Sequence, residues 1–315
     1  MDSVSLDETD LRLLHALQVD GRAPFAKIGE VLGVPGRTIA RRFARMQTHR
    51  LVRVTGSLDP HGVGAAEWLV RMRVRPGRAT ALARCLAQRA DASWVSVLSG
   101  GAEVTCLFRV ADGGAPPLDS LARHPEIGDV TVQRVLRHLS DRRWPGRTSA
   151  LAADQVAALM PPVIDGRPIE LTDLDRKLLP ALTMDGRATY PELAHRIAWS
   201  ESALRRRLQE LRRANLLRFD VEIDAAALGF RTQCLMWLTI PPAQLAGVAA
   251  ELVRDPETAF VGATTGASNL MAVIICRDES ALFDYITGRI GTLGAIDRVE
   301  TVPITAYAKR TAPGC

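Results

Sequence analysis

The sequence contains two copies of one unit. Placed without a gap on residues 171–224, residues 6–59 are identical at about fifteen of 54 positions. The identities include the run Asp-Gly-Arg-Ala, at 20–23 and again at 185–188, and the pair Arg41-Arg42, which returns as 206–207. A looser correspondence continues beyond these residues. The chain of 315 residues is therefore predicted to be two units of about 140 residues each.

The first part of each copy has the pattern of a helix-turn-helix. In the first copy a short apolar helix is predicted from Phe25 to Leu32, ended by Gly33, and a longer basic helix begins near Pro35. The basic helix places apolar residues on one face and arginines on roughly the opposite face. The apolar residues are Ile39, Phe43 and Met46, and the arginines are Arg37, Arg41 and Arg45. This pattern is typical of a recognition helix.

Charge around the basic helix predicts a polyanionic partner. Residues 36–53 contain six arginines and no acid, whereas the whole chain has a net charge of only +5. Arginines at this spacing repel one another unless a nearby anion offsets their charge. DNA phosphates neutralise such charges, and guanine edges accept bidentate hydrogen bonds from arginine. We therefore predict double-stranded DNA as a partner. The predicted DNA-binding residues are Arg37, Thr38, Arg41, Arg42 and Arg45 in the first copy and Ser200, Ser202, Arg205, Arg206 and Arg213 in the second.

The second copy is the weaker candidate for DNA binding. Glu210 stands where the first copy has Arg45, and Glu201 lies in the first turn of the same helix. An acid facing phosphate costs affinity. Two interpretations stay open, a second DNA reader and a degenerate scaffold, and both predict that the first copy is the stronger anchor.

The second part of each copy has the order βαββαβ, which indicates a ferredoxin-like sandwich. The predicted fold class is α+β, with two winged helix-turn-helix domains alternating with two ferredoxin-like domains. The predicted segments are 1–60, 61–140, a linker at 141–170, 171–225 and 226–315. Extending the alignment pairs Trp68, Val70 and Met72 with Gln233, Leu235 and Trp237. We expect Leu235 and Trp237 on the sheet face away from the helices, as an apolar association surface.

Composition removes several classes of protein. The five cysteines are scattered, odd in number and without a CxxC pair, which argues against a disulfide framework and a zinc site. The N-terminus lacks the pattern of a signal peptide, and no segment approaches the roughly 18 apolar residues that span a bilayer. We expect a cytoplasmic protein with no metal, no cofactor and no membrane partner.

The order of these motifs resembles the Lrp/AsnC (feast/famine) transcriptional regulators over nearly the whole chain, twice. The residues that carry the resemblance are the opening Leu-Asp-x-x-Asp-x-x-Leu-Leu, the Asp-Gly-Arg-Ala run, the Arg-Arg pair, the βαββαβ part and Thr265-Gly266. The resemblance implies DNA binding, face-to-face pairing of the sensory sheets and a small effector such as an amino acid. Members of that family usually carry one unit per chain, so this chain is a fused tandem.

The same resemblance places the effector at the loop between the two middle strands of each sensory domain. The residues implied are Ser99, Gly100, Gly101 and Glu103 in the first copy and Thr265, Gly266, Ser268 and Asn269 in the second. Backbone N–H groups exposed by glycine suit an effector carboxylate, and Glu103 or Asn269 suits its amine. A homo-oligomer, a dimer or tetramer of the tandem chain, is also implied. Whether the two units pair within or between chains stays open.

Two other classes of function stay open as alternatives. The tandem also resembles the fused tetrapyrrole (siroheme-type) decarboxylases of modified-haem biosynthesis. Their chemistry is expected to need a His, often with a Tyr and an Arg, on the second strand of the sensory domain, and residues 93–97 and 259–263 contain no His or Tyr. The other alternative is an effector-sensing scaffold that does not bind DNA. A basic recognition helix argues against both, so we predict that the chain is not an enzyme.

Overall fold

The computed structural model describes residues 6–58, 65–111, 113–140, 150–161 and 169–310. They form two compact units. The first unit contains the described residues within 1–63 and 148–227, and the second contains those within 64–147 and 228–313. Each unit therefore combines corresponding parts of both copies. The five segment boundaries predicted from the sequence stay a prediction.

The elements alternate as an α+β fold requires, and the predicted fold class is confirmed. In chain order they are α1 (Glu8–Val19), α2 (Phe25–Leu32), α3 (Gly36–Thr48), β1 (Val52–Leu58), β2 (Ala65–Val74), α4 (Ala79–Ala87), β3 (Ala92–Leu98), β4 (Glu103–Ala111), α5 (Leu118–Ala122), β5 (Ile127–His138), α6 (Ala153–Leu159), α7 (Asp173–Met184), α8 (Tyr190–Ile197), α9 (Glu201–Arg213), β6 (Leu217–Ile223), β7 (Thr232–Thr239), α10 (Pro242–Arg254), β8 (Thr258–Thr264), β9 (Leu270–Cys276), α11 (Glu279–Asp284) and β10 (Arg298–Arg310).

Local sequence explains where the helices of the first unit begin and end. Asp7 caps α1 by accepting from the backbone N–H of Asp10, whose carboxylate in turn accepts from the backbone N–H of Asp7. Gly33 ends α2 in the left-handed conformation, with φ 69°. The apolar face predicted for α3 is confirmed, because Ile39, Phe43 and Met46 are buried.

The two helix-turn-helix parts are joined by a strand from each copy. Strand β1 pairs antiparallel with β6 from Val52 opposite Ile223 to Leu58 opposite Leu217. Two glycines allow the close approach. A Cβ at Gly186 would lie 2.9 Å from the backbone carbon of Thr55, and a Cβ at Gly21 would lie 2.9 Å from the carbonyl oxygen of Phe219. The wing strand of each copy therefore pairs with the other copy of the same chain.

The second unit is a closed eight-stranded barrel in the order β10-β3-β4-β2-β5-β8-β9-β7. Two antiparallel joins, β5 with β8 and β10 with β3, connect the copies. Each copy buries one sheet face under its own helices, which form two separate apolar cores. The other face of both sheets lines the inside of the barrel, so the sensory parts also pair within the chain.

The predicted alignment of the sensory parts is wrong by one residue. In β2 the side chains packed under the helices are Val70, Met72 and Val74, and in β7 they are Cys234, Met236 and Leu238. The copies are therefore related by 166 positions here, against 165 in the helix-turn-helix parts. A slip of one residue moves every side chain of a strand to the other face. Leu235 and Trp237 lie buried on the face away from the helices, as expected, but inside the barrel and not on an open association surface.

Candidate nucleic-acid interface

The first recognition helix, α3, carries two arginines that have no partner among the described residues. Arg37 and Arg41 are exposed, and neither makes an ion pair or a side-chain hydrogen bond to another described residue. Thr38 lies between them, half-buried, in the first turn of the helix. Since Ile39, Phe43 and Met46 hold the opposite face in the core, the helix presents these two guanidinium groups to solvent.

The other two predicted arginines of α3 are bound to aspartates. Arg42 Nη1 lies 2.6 Å from Asp7 Oδ2 and 2.9 Å from Asp10 Oδ1, and Arg45 also binds the Asp10 carboxylate. The Asp10 side chain is fully buried, and the hydrogen bonds that Arg42 donates to Asp7 and Asp10 raise the pKa of Arg42 above its ordinary value. These contacts dock the recognition helix on the N-terminus of α1. DNA contact by Arg42 and Arg45 stays a prediction.

The second copy repeats the docking contact. Arg207, which corresponds to Arg42, places Nη2 2.6 Å from Oδ2 of the fully buried Asp175, which corresponds to Asp10. The hydrogen bond to Asp175 raises the pKa of Arg207. Sequence reasoning missed Asp10, Asp175 and Arg207. The signal in the sequence was the repeat itself, because Asp10 and Arg42 both recur at the same offset, as Asp175 and Arg207.

The remaining predicted residues of the second recognition helix, α9, are more engaged than those of α3. Ser200 caps the helix by accepting from the Ala203 N–H at 3.3 Å, and Ser202 Oγ lies 3.3 Å from Ser200 Oγ. The guanidinium of Arg205 lies 4.2 Å from the ring centre of Tyr190. Arg206 pairs with Glu210 at 3.7 Å. Arg213 is exposed, with no ion pair to another described residue.

The first predicted effector loop is a 3₁₀ turn, Ser99–Gly101, between β3 and β4. Its residues Ser99, Gly100 and Gly101 all have positive φ, and the Gly100 N–H donates to Thr305 Oγ1 at 3.0 Å.

Close to this loop lies a small charged cluster inside the barrel. Arg71 binds the Glu103 carboxylate with two nitrogens and reaches Glu300 Oε1 at 2.8 Å. The guanidinium also lies 4.4 Å from the ring centre of Trp237. One guanidinium thus faces two carboxylates, and its pKa is raised by Glu103 and Glu300 against the lowering effect of burial. The cluster has an excess of one negative charge.

The second predicted effector loop is closed by a side chain of the first copy. Gln133 Nε2 donates to the carbonyl oxygens of Thr265 and Ser268, at 3.0 and 2.9 Å. Gly266 has φ 102°, and an added Cβ there would lie 3.1 Å from Gln133 Nε2. The Asn269 amide exchanges hydrogen bonds of 3.0 and 2.7 Å with the backbone of Ile240. The effector residues predicted in this copy are therefore engaged in internal contacts.

The barrel also encloses polar pairs that sequence reasoning missed. Glu67 is buried, with His138 Nε2 at 2.5 Å and Arg109 Nε at 3.0 Å from its carboxylate oxygens. Burial alone would raise the pKa of Glu67, but His138 and Arg109 hold it below its ordinary value. In the second copy Gln233 and Tyr307 pair at 2.9 Å at corresponding positions. His138 also borders a small cavity whose wall includes Leu69, Trp94, Val135, Phe260 and Met271.

The described residues contain no group of three or more His, Cys, Asp or Glu side chains placed to hold a metal ion. None of their helices has the length and apolar character needed to cross a membrane.

The fold and the exposed arginines of α3 together define a helix-turn-helix protein of the transcription-regulator class. The chain carries two helix-turn-helix parts, which we call its two heads. The profile of the AsnC-type helix-turn-helix domain matches residues 6–47 and again 171–212. The profile of a C-terminal dimeric alpha+beta barrel domain matches residues 242–314. The chain belongs to the Lrp/AsnC family of transcriptional regulators, as a tandem duplication.

Relatives of known sequence match about half of this chain. The HTH-type transcriptional regulator PYRAB01370 of Pyrococcus abyssi is 30% identical over 148 residues, which are 47% of this chain and 94% of the relative. The HTH-type transcriptional regulator Rv2324 of Mycobacterium tuberculosis is 28% identical over 149 residues, 45% of this chain and 98% of the relative.

Solved structures of one protein match nearly the whole chain. The siroheme decarboxylase NirDL aligns over 97% of this chain and 93% of its own length, with a TM-score of 0.63 and 14% identity. At that identity the likeness shows the shared fold alone.

Proposed function

We propose that this chain is a DNA-binding regulator in which the first helix-turn-helix is the principal anchor. The carrying observation is the pair Arg37 and Arg41, exposed on α3 with no anionic partner among the described residues. Two free guanidinium groups on the solvent face of a recognition helix suit phosphates and guanine edges in a major groove. On α9 the corresponding Arg206 already has a partner in Glu210.

Pairing of both heads within the chain supports a bipartite but unequal operator. Strands β1 and β6 join the heads, so one polypeptide presents both recognition helices without a second chain. Because the two helices differ in sequence, the two half-sites are expected to differ as well. Further association into a dimer or tetramer of the tandem chain, measured by light scattering, stays part of the proposal.

Selection of bound fragments from a random double-stranded DNA library tests the proposal. The expected result is one enriched motif with two unlike half-sites. Affinity for that motif should fall by orders of magnitude between roughly 50 and 200 mM salt if six or more phosphates are contacted. No enriched motif, together with a flat salt response, would overturn DNA binding.

We further propose that the first-copy loop binds a small zwitterionic effector such as an amino acid. All three residues of the turn Ser99–Gly101 have positive φ, and the Gly100 N–H, which donates to Thr305 Oγ1, would donate to the effector carboxylate instead. The excess negative charge of the Arg71 cluster attracts an ammonium group, with Glu300 as its more exposed acid, since its side chain is 38% exposed and that of Glu103 is 11%. The loop at 265–269 lacks this charge and is capped by Gln133. One effector per chain is therefore expected.

Isothermal titration with a panel of amino acids tests the effector. Glu300→Gln should weaken binding by up to about fivefold, because an ion pair to a partly exposed carboxylate contributes up to about 1 kcal/mol. Gln133→Ala, at the second loop, serves as the matched control and should leave the affinity of the first-copy site unchanged. Two equivalent sites per chain would contradict the assignment. Repeating the DNA selection with each ligand that binds then shows whether the effector changes operator binding.

A second candidate function is tetrapyrrole decarboxylation, favoured by the likeness to NirDL along the whole chain. His138 and Tyr307 also reach into the barrel, although from the last strand of each sensory part and not from the second. Against it, His138 is bound to Glu67 and Tyr307 to Gln233, and Trp94 and Phe260 narrow the interior. An absorbance titration with an iron tetrapyrrole carrying carboxylate side chains separates the two functions. A regulator should leave the spectrum unchanged, and saturable binding with release of carbon dioxide would establish the enzyme.

A further inference from the structure

Each helix-turn-helix part reaches into the other with one arginine. Arg22 donates from Nη1 to the Gly186 carbonyl at 2.5 Å and from Nη2 to the Ala188 carbonyl at 2.7 Å. Arg187 donates from Nη1 to the Gly21 carbonyl at 2.7 Å and from Nη2 to the Ala23 carbonyl at 2.9 Å. The two sets of bonds are reciprocal, atom for atom. We call these four hydrogen bonds the arginine clasp.

Both clasp arginines are packed between aromatic rings. The Arg22 guanidinium lies 5.1 Å from the ring centre of Tyr190 and 5.5 Å from that of Phe219. The Arg187 guanidinium lies 4.0 Å from the ring centre of Phe25 and 5.4 Å from that of Phe43. Burial lowers the pKa of Arg187 to about 10, so it stays charged at neutral pH. The planar guanidinium group of each arginine is therefore held in a fixed orientation, which a lysine side chain cannot reproduce.

The rings connect the clasp to both recognition helices. Phe43 belongs to α3 itself, so Arg187 of the second copy packs against the recognition helix of the first. The Tyr190 ring contacts Arg22 and also Arg205 of α9. The Arg205 guanidinium lies 4.2 Å from the ring centre. Displacement of either clasp arginine would thus remove a contact that helps to fix the orientation of a recognition helix.

We infer that Arg22 and Arg187 are positioning residues that set the separation of the two recognition helices, and with it the spacing of the DNA half-sites. This inference rests on the proposed DNA binding. The β1–β6 ribbon alone is two strands wide, and a two-stranded sheet without further packing is marginally stable. The clasp reinforces this join, alongside the Arg212–Asp20 ion pair at 2.9 Å. It lies between the copies and needs no contact with DNA.

The first test measures the separation without DNA. Spin labels at Ala44→Cys and Gln209→Cys, which are exposed and correspond between the copies, report the distance between α3 and α9 by pulsed dipolar spectroscopy. The background carries Cys85→Ser and Cys315→Ser to restrict labelling. The labelled chain that keeps Arg22 and Arg187 should give one narrow distance distribution. Arg22→Gln with Arg187→Gln should broaden it, and an unchanged distribution would overturn the inference.

The second test uses DNA carrying the two selected half-sites at separations changed one base pair at a time. The parent chain should bind best at one separation. The double variant should lose about tenfold at that separation, with little loss for an isolated half-site, because the gain from linked binding depends on fixed geometry. If the double variant kept the parent chain's best half-site separation and its affinity there, the positioning role of the clasp would be refuted. If no DNA is bound at all, the proposed function fails, while the spin-label result still decides the inference.

Two further variants guard against trivial effects. Arg22→Lys keeps the charge and is expected to give intermediate broadening, so it replaces the double variant if that protein does not fold. Arg196→Gln removes an exposed arginine of the same unit and should leave both the distance distribution and the spacing optimum unchanged. A clasp variant that behaved like Arg196→Gln in a folded protein would contradict a positioning role.

Discussion

Alanine substitution of Arg41 and of Arg206 should weaken DNA binding unequally, although the two residues correspond between the copies. Arg41 is exposed and has no ion pair to another described residue, so its full contact with a base or phosphate is gained on binding. One good bidentate base contact is worth about 1–3 kcal/mol. Arg41→Ala should therefore weaken binding by roughly 5- to 150-fold.

Arg206 starts from a different state. It is paired with Glu210 at 3.7 Å, and binding to DNA requires that pair to open, which costs about 0.3–0.5 kcal/mol for an exposed helical pair. Glu210 then remains one turn away and repels the phosphates. The net contribution of Arg206 is smaller on both accounts. We expect Arg206→Ala to weaken binding by less than about tenfold.

Fluorescence anisotropy with the selected operator, at fixed salt and then over a salt series, measures both losses. If Arg41 contacts a phosphate, its removal should also reduce the slope of affinity against salt by about one. Arg84→Ala is the matched control, because Arg84 is exposed in the barrel unit and its removal changes the net charge equally. Equal losses for Arg41→Ala and Arg206→Ala would refute the asymmetry of the two heads.

Three further predictions follow from contacts described above. Glu210→Gln should raise operator affinity a few-fold in the same anisotropy assay, and a loss would show that Glu210 supports binding. Gly186→Ala should lower the melting temperature, because its Cβ has no room, whereas Gly247→Ala meets open space within α10 and should raise stability by about 0.5–1 kcal/mol. Asp175→Asn should lower the free energy of unfolding by about 3 kcal/mol, since the half-buried Arg207 loses its fully buried carboxylate partner. Burial would raise the pKa of Asp175, but Arg207 holds it below the ordinary value. The stabilisation by this ion pair is therefore present above about pH 4 and is lost as the pH falls further. In denaturant melts, the free energy of unfolding of the variant should accordingly change less with acid than that of the parent chain.

Local signals in the sequence predicted the elements of the fold well. Gly33 at the end of α2 and the apolar face of α3 each act within a few residues, so their patterns can be read from the chain. The register of β7 failed because one inserted residue between the copies leaves no mark in an alternating strand.

Contacts between the copies could not be predicted in the same way. The Arg22 and Arg187 bonds join residues 164 and 166 positions apart, and nothing in the Asp-Gly-Arg-Ala run distinguishes a turn from an inter-copy contact. Arg45 looked like Arg41 in spacing and charge, yet Asp10 lies within its reach and not within that of Arg41. For the candidate site, sequence therefore identified the helix but not which of its cations are free.

Closure of the barrel has a consequence for how this chain can meet other molecules. Its eight strands are joined in a full circle, so the described sheet has no edge at which a foreign strand could add. Association through the barrel must then use side chains on its outer surface, where Leu136 and Phe283 are exposed. The fusion that closes the circle within one polypeptide also protects it from runaway strand-by-strand polymerisation.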